Sequence, residues 1–155
     1  VPWLGINLFT AVMGAGVIAF FEGTIQQIAT TTDIYERPAN DFVADFVGES
    51  NIFHGTMSAP GAVTLDGGRT LVVRSDRQAG AKVGVLMRPE RFASGGTNQF
   101  AGEVIESVYL GTSFKLRLVC EGGLELLVRQ PARGALPAAG SKVAVGIDPE
   151  AIHVF

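Results

Sequence analysis

The sequence predicts a mainly β fold, a duplicated small barrel of short strands, behind an apolar N-terminal helix and a short helical connector. Three observations carry this. Short motifs recur in the same order along the later part of the chain. Glycine and proline crowd the region after Gly48. No charged residue precedes Glu22.

The opening element spans residues 1–28, with an uncharged core from Val1 to Phe21. A bilayer interior of about 30 Å needs roughly 20 apolar residues at helical rise, so this run is long enough to cross one. Trp3 suits an interfacial anchor, and Ala11, Ala15 and Ala19 form a small-residue stripe beside Gly16 for a close-packed neighbour. The competing reading is a buried core segment, because Pro2, Gly5, Asn7, Gly14 and Gly16 weaken a lone spanning helix. No basic stretch precedes the apolar run, which argues against a secretory signal peptide. A first residue of Val1 and not Met predicts a fragment or a processed chain.

Residues 29–49 read as the connector. Thr32 can cap a short turn that Pro38 interrupts, and Asn40 or Asp41 then starts a helix with Phe42, Val43, Phe46 and Val47 on one face, ended by Gly48.

Residues 50–155 hold the β-units. "NIFHG" at Asn51 is echoed by "NQFAG" at Asn98, "GGRTLVVR" at Gly67 by "GGLELLVR" at Gly122, and "AKVGVLMRPERF" at Ala81 by "SKVAVGIDPEAI" at Ser141. The offsets are 47, 55 and 60 residues, so the second copy carries longer loops. Three echoes in one order argue for a duplicated unit. "GRTLVVR", "KVGVLMR", "GEVIESVYL", "SFKLRLVC", "LELLVR" and "KVAVGI" are rich in β-branched and large apolar residues, and Phe114 to Leu118 alternates apolar with charged. Short strands between frequent turns predict an OB-like barrel, with Val83, Val85, Val143 and Val145 buried at equivalent places. Each "PE", at Pro89-Glu90 and Pro149-Glu150, reads as a turn after a strand, its acid placed to cap backbone amides. Neither glutamate has a neighbouring base or metal ligand that would make it catalytic.

Composition removes several functions. The 155 residues carry a net charge of −3, from 12 basic and 15 acidic side chains, which gives no nucleic-acid footprint. A single cysteine, Cys120, allows no internal disulfide, and two distant histidines, His54 and His153, suggest no zinc site. No catalytic and no metal-binding residues are expected.

Two resemblances sharpen the reading. "PWLGINLFTAVMGAGVIAFFEGTI" resembles a transmembrane helix of MgtE-type magnesium channels, which implies membrane contact through residues 1–21, although one helix cannot conduct an ion. "IYERPANDFVADFVGESNIFHG" resembles the stretch leaving the nucleotide-binding domain of ABC importer ATPase subunits. "VLMRPERF", "GEVIESVYLGTSFKLRLVCEGG" and "VAVGIDPEAIHVF" resemble the TOBE domain that follows it in spermidine/putrescine- and iron-type importers. Residues 17–28 also fit the last strand of such an ATPase domain through Gly23, Ile25 and Gln27.

The second resemblance implies an accessory, regulatory C-terminal domain at the cytoplasmic face of the inner membrane. Its implied partners are permease subunits and a second ATPase subunit. ATP and Mg²⁺ belong to the parent family, since this sequence has no G-x-x-x-x-G-K-[ST] loop, no LSGGQ-type signature and no Asp-Glu strand end. Arg88, with Glu90 beside it, is the expected ligand or regulatory contact; the plainer alternative is an arginine in solvent or paired with Glu90. The rival function is a membrane-tethered fragment of a magnesium transporter.

Overall fold

A computed structural model describes residues 49–155. The expected apolar helix over residues 1–28 and all but the last residue of the connector lie outside the described residues. No helix among the described residues is long and apolar enough to cross a membrane.

Nine strands form: β1 (Asn51–Ala59), β2 (Ala62–Leu65), β3 (Thr70–Val72), β4 (Lys82–Met87), β5 (Asn98–Tyr109), β6 (Ser113–Cys120), β7 (Glu125–Pro131), β8 (Lys142–Ile147) and β9 (Ile152–Val154). They make two antiparallel sheets, one ordered β3-β2-β1-β4-β9 and the other β7-β6-β5-β8. The order β3-β2-β1-β4 is repeated as β7-β6-β5-β8, so the duplication read from the sequence is a duplication of topology. Each unit is a curled OB-like sheet and not a barrel closed by its own ladder, because four short strands leave an outer edge open.

The two units complete one another. After β4 the chain makes a one-turn 3-10 helix, Pro89–Arg91, and Ala93 then bridges to Gly146 on β8 of the second unit. After β8 it makes the equivalent turn, Pro149–Ala151, and β9 pairs with β4 of the first unit. The expected Pro-Glu turns therefore form, although the residues preceding them, Arg88 and Asp148, make no side-chain cap bond.

One core runs through both units. Met57, Val63, Leu71, Val85 and Met87 from the first join Phe100, Leu116, Leu118, Leu126, Val128 and Val145 from the second. Val83, Val85 and Val145 are buried as expected. Val143, the counterpart of Val83, is only half-buried against the core. Phe114, Leu116 and Leu118 point inward and Arg117 outward, as their alternation requires.

Candidate functional site

The seam between the units concentrates the buried polar chemistry of the described residues. Asn51 and Asn98, at the first position of β1 and β5, are each 6% exposed. Asn51 donates to the carbonyls of Met87 (3.1 Å) and Leu127 (2.8 Å), and accepts from the Leu127 amide (2.6 Å). Asn98 does the same with Ile147 (3.2 Å) and with the carbonyl and amide of Val72 (both 2.8 Å). Leu127 lies on β7 and Val72 on β3, the outer strands of the two sheets. Each asparagine thus leaves its own unit and satisfies the open edge of the other. An amide side chain suits this task because it presents a donor and an acceptor together.

The three sequence echoes meet in these bonds. Asn51 and Asn98 differ by 47, Val72 and Leu127 by 55, Met87 and Ile147 by 60, the offsets of the three repeated motifs. The remaining repeated letters also have tasks. A Cβ on Gly55 would stand 2.5 Å from the Thr64 carbonyl oxygen, and one on Gly102 would stand 3.0 Å from that of Val119. At Gly55 the β2 backbone leaves no room for a side chain, and at Gly102 the Cys120 sulfur and the β6 carbonyl would have to give way to one. Phe100 is fully buried, packs edge-on against Phe92 at 5.9 Å, and carries the Arg69 guanidinium over its face at 4.3 Å. Arg69 also donates to the Gln99 carbonyl, while its Nε–H is buried without a partner.

The two site residues expected from sequence fall on this seam. Arg88 immediately precedes the Pro89–Arg91 turn and is 3% exposed, so the alternative of an arginine in solvent is corrected. That turn packs against β7 of the second unit. Glu90, within the turn, is exposed. Glu49 was not singled out in the sequence: it precedes β1, and its carboxylate bridges Lys115 on β6 and Arg129 on β7, the latter at 3.2 Å. The hydrogen bond from Lys115 holds its carboxyl below the usual range, against an opposing contribution from burial. A lone acid before a strand carries no sequence signal for such a bridge.

Burial pushes the Cys120 thiol up, away from the thiolate a nucleophile needs. No group of three His, Cys, Asp or Glu among the described residues is placed to hold a metal. An open depression lined by Pro60, Gly61, Val73, Arg74, Ser75 and Asp76 lies at the end of β3.

Comparison with known proteins follows the same geography. The chain is 36% identical over 142 residues to the spermidine/putrescine import ATP-binding protein PotA of Bacteroides thetaiotaomicron. That alignment takes in 90% of the chain but 30% of the relative's length. Among solved structures, the cytoplasmic molybdate-binding protein ModG with molybdate bound matches with a TM-score of 0.56 at 18% identity, covering 67% of this chain and 94% of ModG. At that identity the likeness is one of fold. Residues 85–155 match the family described as the TOBE domain. It is over these residues, the second β-unit with the end of the first, that the chain is similar to the TOBE domain family.

Proposed function

We propose that the chain is an accessory, regulatory C-terminal domain of the ATP-binding subunit of an ABC importer for a polyamine-like substrate. The observation that carries this is the 36% identity to an import ATP-binding protein, sustained over 142 residues that overlap most of the TOBE-like segment. On this reading residues 50–155 are the domain and residues 29–49 join it to what precedes it. The whole works at the cytoplasmic face of the inner membrane, beside permease subunits and a second ATPase subunit. Arg88 and Glu90, on the turn against β7, are its candidate regulatory contact. A buried guanidinium there transmits a contact at the turn to both units, because the turn belongs to one and packs on the other.

The experiment is a chimera in which residues 49–155 replace the corresponding region of a polyamine importer ATPase. Assembly with the permease and retained polyamine uptake are expected. Arg88→Ala in the chimera should change the regulation of uptake while leaving the subunits assembled. A chimera that hydrolyses ATP but neither assembles nor transports would overturn the proposal. The chain alone should not turn over ATP, since its sequence offers no phosphate loop to position and neutralise the γ-phosphate. Turnover that survives repurification would contradict this.

A further inference from the structure

We propose that residues 40–48, the acidic and amphipathic segment of this chain that leads into Glu49, dock on the outer face of β5, β6 and β7 and strap the chain to the second unit. Strand register defines the receiving face. Phe114, Leu116 and Leu118 turn into the core, so Lys115 and Arg117 turn away from it. Val108 on β5 and Arg129 on β7 lie opposite Lys115, while Glu106 and Leu127 lie opposite Arg117. Directly opposed residues share a face of a sheet, so these six side chains form one surface outside the core. Val108 and Arg117 are exposed there, and Lys115, Leu127 and Arg129 are half-buried.

The chain itself delivers the occupant. Glu49 is the first described residue, and its carboxylate is clamped between Lys115 and Arg129 on this surface. Residues 40–48 leave from that clamp, and as a helix they reach about 14 Å, more than the ~10 Å across three strands. The segment complements the face in charge. Asp41, Asp45 and Glu49 recur every four residues, and no base stands between Asn40 and Glu49. Facing them are Lys115, Arg117 and Arg129, although Arg117 also pairs with Glu106 at 3.2 Å. The Arg129 Nε–H is buried without a partner among the described residues, a donor beside the clamp for a further carboxylate. Asp45, one turn before Glu49, supplies it. The apolar stripe of Phe42, Val43, Phe46 and Val47 then covers Val108, Leu127 and the methylene stems of Lys115 and Arg129. None of this depends on the importer assignment.

The test follows cleavage of the full chain by chymotrypsin after Phe42 and Phe46, read from fragment masses, because docking shields both sites. At low salt the native segment should resist. Lys115→Glu with Arg129→Glu should speed cleavage about tenfold, since both attractions become repulsions. Adding Asp45→Lys and Glu49→Lys to that variant should restore the slow rate, which damage to the strands alone would not allow. High salt should speed cleavage of the native chain by screening the same contacts. If the reversed strands fail to fold, Asp45→Lys alone, a change outside the β-units, should still speed cleavage several-fold. Three results would overturn the proposal: native cleavage as fast as that of the reversed variant, no rescue by the exchanged charges, or protection that rises with chain concentration, which would place a second copy on the face.

Discussion

Asn51 and Asn98 show why a buried polar side chain can hold two sheets together. Leu127 and Val72 sit on outer strands, so their amides and carbonyls have no further strand to bond. Removing either asparagine strands a buried donor and acceptor in the opposite unit. Each of Asn51→Ala and Asn98→Ala should therefore cost about 1–3 kcal/mol in denaturant unfolding. Equal effects are expected, because the two sets of bonds match atom for atom. An unmoved midpoint for either would remove the asparagine from this role. Glu49 makes a different prediction. Its folded pKa is depressed, so the stability it contributes is present above the ordinary carboxylate range and lost as pH falls through the folded value. Its side chain is 44% exposed, which keeps the effect small. Glu49→Gln should flatten the acid limb of stability against pH and leave neutral stability nearly unchanged; an unaltered acid limb would show that the Lys115 contact does not form in solution.

Strand pairs carry the next level of argument. Val85 faces Phe53 across β1 and β4, and Val145 faces Phe100 across β5 and β8. Both valines are fully buried in the shared core. Val85→Ala and Val145→Ala should each cost about 1–3 kcal/mol, from lost burial and incomplete collapse around the space left behind. Either substitution leaving the midpoint unmoved would contradict the equivalence of β4 and β8. These strands were legible in the sequence because dense Val and Leu runs announce them. β1 and β2 were not: "NIFHGTMSA" mixes polar and small residues, and "AVTL" is four residues long. Their strand character comes from pairing with β4 and with each other, a tertiary cause that a local pattern does not record. β9 was hidden for the same reason, since three residues become a strand by lying on β4. The motif echoes disclosed the duplication but not its consequence. Repetition says that two units exist; it does not say that each finishes the other's edge. Arg88 was legible as a residue of note, but its burial was not, because the β7 surface that covers its turn lies far along the chain.

At the scale of the molecule, reciprocity decides how the described region unfolds. Two sheets that merely touched would melt apart, each with its own stability. Here each sheet takes bonds at its edges from the opposite unit, and core residues of both pack in one cluster. Opening one unit alone would expose the Phe100 and Leu116 side of the core and leave Leu127 or Val72 unsatisfied. Partial opening thus costs nearly as much as complete unfolding, which is the condition for two-state behaviour. Residues 49–155 should lose structure in one transition, seen at the same denaturant concentration by hydrogen exchange in β1 and in β6. A stringent form uses Asn98→Ala, a change in the second unit. If the units are coupled, it should lower the protection of β1 amides in the first unit by the same free energy as those of β6. Protection lost in β6 while β1 keeps its full value would mean that the seam is a contact between independent domains and not the bond that makes them one.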